Sequence, residues 1–363
     1  MKLVSGDTAE RQTWSSRDLP CRPSVREGVA PAVEAAQLEA VWPRRFDLEP
    51  IRALLGAEAD QVLCDVLASR VNAPIWSLAD RGGKRWRPTI SRLAFQVTGG
   101  APPAPEAICQ VAEVLHTGSL IIDDIQDGAT ERRGGPAAHV AYGMPTALNA
   151  ANTAYFRALE ILRRALPNEL RLRALDMLAE ELFAAHLGQA LDLALAPQLH
   201  RTALRSSHYF VLARAKTGAL VRIAARLGAI AADAKVTHEA ALGEWASELG
   251  VAYQIDNDLD DLASGMHDVT ACRPTYPLLL ILEQGGPGAA ILGTRLGRPT
   301  FTDGDTRELR DLFARERVVE RGRAAARLST KRALEALRTL PAGESRDALE
   351  RITHELAGDP PRP

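Results

Sequence analysis

Apolar residues recur along this chain at helical spacing. Ile51, Leu54, Leu55, Val62, Leu63, Val66 and Leu67 mark one such face, and Ile108, Val111, Ala112, Leu115, Leu120 and Ile121 mark another. Side chains three and four apart share one side of an α-helix, so burying that stripe stabilises the turns that carry it. The same period predicts helices over about 146–165, 169–195, 202–231, 237–263 and 305–339. Loops are announced by Gly99-Gly100-Ala101-Pro102-Pro103, by Gly134-Gly135-Pro136 and by the segment from Gly265 to Pro277. No run alternates over a useful strand length, and no fixed-period repeat occurs. Residues 1–40 mix charges with Pro20, Pro23 and Pro31 and are expected to form a weakly ordered arm, and residues 356–363 a frayed tail. The expectation for 41–355 is one all-α domain, a single-domain bundle of ten or more helices.

Composition agrees with helix: Ala and Leu abound while aromatics are only 5%. With 46% hydrophobic and 25% charged residues, the chain has the makings of a substantial core. A formal net charge of -2 gives no bulk basic field to attract nucleic acid, so an anion must be held by a local cluster of Arg and Lys. Cys21, Cys64, Cys109 and Cys272 are scattered without a CxxC pair, which argues against a disulfide framework and fits a reducing cytoplasm. The N-terminal stretch lacks an apolar signal core, and the longest apolar run, near Leu278 to Leu282, falls far short of the roughly 18 residues a membrane span needs. A soluble cytoplasmic protein is expected.

The chemistry concentrates in two acidic stretches. In Leu120-Ile121-Ile122-Asp123-Asp124-Ile125-Gln126-Asp127, the i,i+4 pair Asp123 and Asp127 projects from one helix face after an apolar run. Paired carboxylates in such a place are costly unless a cation neutralises them, and Mg²⁺ is commonly held by one or two carboxylates plus substrate phosphates. The plainer alternative is a solvated acidic helix end. Glu131-Arg132-Arg133-Gly134 follows directly, and Gly82-Gly83-Lys84-Arg85-Trp86-Arg87-Pro88 supplies further cations beside glycines that let backbone approach an anion. The second stretch, Tyr253-Gln254-Ile255-Asp256-Asn257-Asp258-Leu259-Asp260-Asp261, leaves two i,i+4 faces open: Asn257 with Asp261, or Asp256 with Asp260. Either face, set across a bundle cavity from the first motif, would complete a multi-metal site. An exposed acidic face is the alternative. Trp76, Trp86 and Trp245 read as packing residues at helix ends, and the basic stretch from Arg315 to Arg332 as a solvated helix face.

Taken together and in this order, the motifs resemble the trans-isoprenyl diphosphate synthases over about residues 45–285, most closely the geranylgeranyl diphosphate synthases. The densest resemblance lies at 81–88, 113–145, 186–192, 216–220 and 253–277. It implies a helical bundle around a central cavity, a homodimer, two or three Mg²⁺ ions, and isopentenyl diphosphate and allylic prenyl diphosphates as substrates. Asp123 and Asp127, assisted by Asp124, would ligate Mg²⁺ at the allylic diphosphate, with Asn257, Asp258 and Asp261 as the second metal-binding set. Arg132 would bind the allylic diphosphate, while Lys84, Arg87, His116 and Arg133 would hold isopentenyl diphosphate. Lys216, Thr217 and Gln254 match groups near the ionising bond; Gln189 and Asp192 match another signature of the family. The implied reaction is electrophilic chain elongation in a dry pocket, with basic groups and metal stabilising the departing diphosphate.

Product length is argued from bulk. Early-stopping members of the family plug the tunnel with aromatics one turn before the first motif, where this chain has Gly118 and Ser119. A product longer than farnesyl, geranylgeranyl diphosphate, is expected, with His139 or the helix around Leu148 and Asn152 as the floor. Two departures stand out. Asn257 replaces the usual leading aspartate, and His267-Asp268 and Arg273-Pro274-Thr275 replace a lysine-bearing loop, so Arg273 carries the diphosphate-binding charge. These departures support a second reading, a class I terpene synthase or an irregular coupling enzyme on the same scaffold. The intact Lys84, Arg87, His116 and Arg133 favour elongation, since a one-substrate cyclase does not need them.

Overall fold

The computed structural model describes residues 36–199 and 204–358. Residues 1–35 of the expected arm, 202–203 of one expected helix and 359–363 of the expected tail lie outside the described residues. From the first described residue the chain is helical, and Leu38, Val41 and Trp42 are already buried in the core.

The principal helices are α1 Trp86–Val97, α2 Val111–Asp127, α3 Met144–Ala165, α4 Asn168–Leu195, α5 Ser206–Ala213, α6 Ala219–Ala231, α7 Val236–Ser264, α8 Tyr276–Gln284, α9 Asp303–Arg315, α10 Val318–Leu337 and α11 Glu344–Leu356. Between α2 and α3 lies a short antiparallel hairpin, β1 Glu131–Arg132 with β2 Gly135–Pro136. It is the only sheet among the described residues. The all-α bundle of ten or more helices is thus borne out. Among the described residues no helix is long and apolar enough to cross a membrane.

Small side chains set how closely the helices approach. Ala147, Ala150, Ala151, Ala154 and Ala158 form a fully buried stripe on α3 that faces α2. A Cβ on Gly118 of α2 would lie 2.8 Å from the Ala154 methyl and 3.0 Å from the Ala151 carbonyl oxygen. Gly118 is therefore a packing residue between two helices, not the tunnel-lining position expected of it. At the other end of the site, a Cβ on Gly250 of α7 would sit 2.6 Å from the Gly218 Cα, so α7 crosses the chain entering α6 almost backbone to backbone.

Helix α7 ties two apolar clusters together. Leu242, Trp245, Ala246 and Leu249 enter the larger core with α1, α2, α3 and α6. One half further along, Val251, Ile255, Leu259 and Leu262 enter a second core with α8, α9 and α10. Trp245 lies within α7 rather than at a helix end; it is fully buried and its Nε1–H donates to Thr353 Oγ1 at 2.9 Å. Burying an aromatic of this size dominates the local packing energy, and the satisfied N–H removes the cost of doing so.

Three stretches read as continuous are broken. The Ile51–Leu67 face divides into helices Leu48–Leu55 and Gln61–Leu67. Gly56, at φ +112, ends the first, and the Asp60 carboxylate caps the second by accepting from Leu63 N. Ile51 is buried, whereas Leu54, Leu55, Val62, Leu63 and Val66 are exposed. The 305–339 stretch breaks at Glu316 and Arg317, where Arg317 adopts φ 51. The 202–231 stretch contains a π-turn at Arg214–Gly218 joining α5 to α6. Such turns insert an extra residue into a helix and often mark functional sites.

Candidate active site

The C-terminal part of α2 and the middle of α7 face one cavity of about 650 Å³, with α4, the π-turn and the start of α1 closing it. Asp123 of α2 and Asn257 of α7 both line it. Lys84, Arg87, His116, Arg132 and Arg133 line it as well, as do Lys216, Thr217 and Gln254. Eight of the expected substrate-binding and catalytic groups therefore converge with Asp123 on a single space.

The cationic side is built by two glycine-shaped turns. Gly82 and Gly83 have φ of 81° and 147°, and Arg85 precedes α1 in a left-handed conformation, so the chain turns sharply and presents Lys84 and Arg87. A Cβ on Gly83 would approach Arg133 Nη2 to 2.8 Å. Its absence lets the guanidinium lie against the backbone, where Arg133 Nη1 donates to the Gly82 carbonyl. Arg81 pins the opposing hairpin: its Nη1 donates to Arg132 O at 3.0 Å and to Pro136 O at 2.8 Å.

The charge states follow from burial. Loss of solvation lowers the Arg87 and Arg133 pKa values, with neighbouring Glu113 opposing in each case. His116 is held well below its ordinary value by burial first and then by Arg87, Arg133 and Arg132, so its imidazole is neutral at pH 7. Burial raises the Asp123 pKa; Lys216 opposes, and Asp127 reinforces by like-charge repulsion. Arg87 Nε, Glu113 Oε2 and His116 Nδ1 are buried without a protein hydrogen-bond partner. Of these, Arg87 Nε is placed to donate to an anionic guest, whereas Glu113 Oε2 can only accept and supplies a counter-charge to the arginines.

Ion pairs span the acidic side. Arg273 Nη2 lies 2.5 Å from Asp127 Oδ1, while Arg273 Nη1 and Lys216 Nζ each lie 2.7 Å from Asp192 Oδ2. Thr217 Oγ1 donates to Gln254 Oε1 at 2.7 Å, and Gln254 Nε2 donates to Asp258 Oδ1 at 2.9 Å. The Thr217–Gln254 pair expected near the reacting bond is thereby fixed by α7.

Several expected metal ligands are occupied otherwise. Asp124 is buried and accepts from Arg132 Nε at 2.7 Å, which makes it an anchor for the hairpin. Asp258, also buried, accepts from Gln254 and from Tyr276 N at 3.1 Å; burial pushes its pKa up to about 7 against those bonds. Asp261 accepts from His267 N at 3.1 Å and Asp268 N at 2.9 Å, holding the 265–277 loop. Of the second set, Asn257 alone lines the cavity. His139 is half-buried on the short helix Ala138–Tyr142, away from the cavity lining, and so does not form its floor. Ser119 does line it, and Leu148 and Asn152 line an adjoining hollow of about 520 Å³. Sequence reasoning assigned no role to Glu113 and His186, although both open segments of dense family resemblance, nor to Tyr155, and it missed the bridging role of Asp192, which requires Arg273 from a distant loop.

The donors suit a divalent cation shared with a ligand. Asp123 and Asp127 repel one another, and Asp127 and Asp192 already draw cationic side chains. Among the described residues no three His, Cys, Asp or Glu side chains cage an ion by themselves. A Mg²⁺ ion held by these carboxylates would take the rest of its shell from phosphate oxygens and water, the usual arrangement for that ion.

An all-helical bundle with carboxylates and arginines converging on one cavity defines an isoprenoid-synthase-type, diphosphate-handling enzyme, and solved structures of the same architecture agree. The polyprenyl synthetase family model matches residues 68–312, and the chain belongs to that family of prenyltransferases. A short chain isoprenyl diphosphate synthase of Methanothermobacter thermautotrophicus is 30% identical over 291 residues, covering 76% of this chain and 86% of that protein. A geranylfarnesyl diphosphate synthase of Aeropyrum pernix is 30% identical over 300 residues, 78% of this chain and 92% of the relative. The crystal structure of a geranylgeranyl pyrophosphate synthetase from Pyrococcus horikoshii Ot3 superposes with a TM-score of 0.75 at 26% identity, covering 90% of this chain and 96% of that one.

Proposed function

We propose that this protein is a trans-prenyltransferase that condenses isopentenyl diphosphate with allylic prenyl diphosphates to give a short trans-prenyl diphosphate, geranylgeranyl diphosphate. One observation carries this reading: Asp123 and the cationic groups expected to bind both diphosphates line a single cavity. Lys84, Arg87, His116 and Arg133 form the recess for isopentenyl diphosphate, and Asp123, Arg132 and Lys216 form the position for the allylic diphosphate. The names of the relatives support the short product.

Asp123 and Asp127, with Asn257 from the opposite helix, would hold two or three Mg²⁺ ions, which would supply positive charge at the allylic diphosphate. Arg132 and Lys216 stabilise the charge that grows on the leaving diphosphate, which is where fixed charges in a dry site lower a barrier most. Thr217 and Gln254, locked to each other, place polar atoms beside the ionising carbon–oxygen bond. Arg87 and neutral His116 orient isopentenyl diphosphate so that its double bond meets the allylic carbon; a proton then leaves, taken up by the released diphosphate. The apolar lining, including Leu120, Ile122, Leu182 and Leu220, excludes water from the cation.

Asn257 and the Arg273-bearing loop favour the second reading, a class I terpene synthase or irregular coupling enzyme, because a neutral amide is a weaker ligand than a carboxylate. One assay separates the two. The protein is incubated with Mg²⁺, isopentenyl diphosphate and each allylic diphosphate, and extracted before and after phosphatase treatment. Elongation yields a prenyl alcohol only after phosphatase; a hydrocarbon or alcohol formed without isopentenyl diphosphate would establish cyclisation instead.

A homodimer accompanies this proposal. Phe156 on α3 and Phe183 and Leu187 on α4 are exposed, 69%, 68% and 51% respectively, on adjacent helices. An apolar face of this kind is covered by a second copy in the reading offered here. A reducing cytoplasm suits the free thiols of Cys64, Cys109 and Cys272.

A further inference from the structure

Lys216 and Thr217 stand not on a regular helix but on the π-turn Arg214–Gly218, against which α4, α6 and α7 all pack. On the α4 side a Cβ on Gly188 would lie 2.9 Å from both the Ala215 Cβ and Lys216 N; on the α7 side Gly250 meets the Gly218 Cα. The contact from α6 is polar. Arg222 reaches back over the turn, its Nη1 donating to Arg214 O at 2.8 Å and to Ser247 Oγ of α7 at 3.3 Å. A Cβ on Gly218 would stand 3.0 Å from that same nitrogen, so the glycine leaves the guanidinium its path. Glu181 of α4 holds the rest of the fork: Arg222 Nε donates to its Oε2 at 2.8 Å, and Nη2 lies 2.7 Å from the same oxygen. Glu181 is only 4% exposed, and its other oxygen accepts from Arg226 Nη1 at 2.9 Å. Neither Glu181 nor Arg222 lines the cavity.

We infer that Arg222 is a positioning residue for departure of the allylic diphosphate: anchored on buried Glu181, it holds the π-turn open and so sets where Lys216 and Thr217 stand. This role rests on the proposed activity and says how its ionising groups are kept in place. A π-turn carries one residue more than the α-helical turn it interrupts. Relaxing it to regular helix would rotate the residues beyond the insertion by about 100° and take Lys216 and Thr217 away from Asp192 and Gln254. A planar fork suits the task, because two of its nitrogens engage the carboxylate while the third remains for Arg214 O. Burial makes the anchor firm, since breaking such a pair leaves an uncompensated charge inside the protein. From Glu181 the other ion pairs run away from the turn, through Arg226, Glu239 and Arg173 to exposed Asp233. Misplacing Lys216 forfeits stabilisation of charge that grows only as the diphosphate leaves. Isopentenyl diphosphate, held by α1, α2 and the hairpin, keeps its binding.

The test measures kcat, KM for each diphosphate and thermal melting of the full-length protein with Mg²⁺, isopentenyl diphosphate and farnesyl diphosphate. Arg222→Met keeps the stem and removes the fork; kcat falls roughly 10- to 100-fold, the scale of a small misplacement of reacting groups, while KM for isopentenyl diphosphate holds. Arg226→Met removes the other partner of Glu181, lowers Tm comparably and leaves kcat at the wild-type value. In a Lys216→Ala background Arg222→Met costs much less, because a group it positions is already gone. Should the methionine variant fail to fold, as read by circular dichroism, Arg222→Lys keeps the buried charge, loses the fork and changes kcat in the same direction. A folded Arg222 variant with wild-type kcat, a kcat loss shared equally by Arg226→Met, or a loss undiminished in the Lys216→Ala background overturns this role and leaves the proposed activity standing. A wild-type protein that releases no diphosphate from farnesyl diphosphate overturns the activity and the role together.

Discussion

Arg273 joins two carboxylates from separate helices, with one guanidinium nitrogen 2.5 Å from Asp127 of α2 and another 2.7 Å from Asp192 of α4. The 265–277 loop is thereby fastened across the open side of the site. A planar fork can bridge two acids at once, whereas the lysine expected at this position is a point charge on one flexible stem. The departure from the family pattern at Arg273 thus has a geometric consequence: the loop is cross-linked to both acid-bearing walls.

The first prediction follows from that bridge. Arg273→Ala frees Asp127, while Lys216 still holds Asp192, so Mg²⁺ binds the substrate-free protein more tightly. The expected gain is roughly tenfold, the scale of one charge-assisted hydrogen bond. The same change lowers kcat/KM by releasing the 265–277 loop from Asp127 and Asp192. Calorimetric titration with Mg²⁺ reads the first effect and steady-state kinetics the second; unchanged Mg²⁺ affinity would remove the bridge from the account.

Asp123 is the acid that both lines the cavity and carries a raised pKa through burial, partly offset by Lys216. Asp123→Ala should lower kcat by at least about 100-fold, the scale seen when one group that stabilises transition-state charge is deleted. The neighbouring change Asp124→Ala acts differently, because Asp124 touches Arg132 and not the cavity. It should raise KM for the allylic diphosphate more than it lowers kcat. Comparable kcat for wild type and Asp123→Ala would refute the metal assignment.

Stability should fall with rising pH in metal-free protein. Burial pushes Asp258 up to about 7 and Asp268 up to about 8, Asp268 being raised further by Asp261 and Asp258. The unfolded chain has these groups near the ordinary aspartate value of about 3.9. The folded state therefore keeps protons that the unfolded state has released, and stability declines as pH climbs towards and through the folded values. Neutral His116 works in the opposite direction, but its contribution is complete above the usual histidine value of about 6.5. Thermal melting from about pH 7 to about pH 9 should accordingly show a falling Tm, and the Asp258→Asn, Asp268→Asn double variant should flatten it. A Tm that rises over this window contradicts the burial assigned to the pair.

Much of this was readable in advance where a single long period runs uninterrupted. The stretches 146–165, 169–195 and 237–263 match Met144–Ala165, Asn168–Leu195 and Val236–Ser264 closely; the first two each bury one stripe, while the third is long, free of Pro and buried all round from Trp245 to Ala252. The breaks were not readable. A π-turn at Arg214–Gly218 shifts the register by one residue without altering composition, and it is this shift that carries Lys216 and Thr217. Orientation was equally hidden. Asn257 and Asp258 are adjacent, but neighbouring helical residues point about 100° apart, so one lines the cavity while the other braces Tyr276. The motif supplies the acids; the packing of α8 against α7 decides which of them faces inward.

Arg81 offers a test at a position to which no substrate-binding or catalytic role was assigned. Its guanidinium donates to the carbonyls of Arg132 and Pro136, closing the ends of the β1–β2 hairpin, and a Cβ on Gly135 would lie 2.7 Å from its Cζ. It does not line the cavity itself, so its action is to aim Arg132 and Arg133. Arg81→Ala releases two hydrogen bonds, about 1 kcal/mol each. The hairpin then samples geometries in which neither arginine meets its phosphate. KM for both diphosphates should rise roughly tenfold with kcat changed far less, since binding and not bond ionisation is impaired. Gly135→Ala should reproduce the effect by pushing the same guanidinium aside. If instead Arg81→Ala lowers kcat alone, the hairpin is held by other contacts and Arg81 has no positioning role.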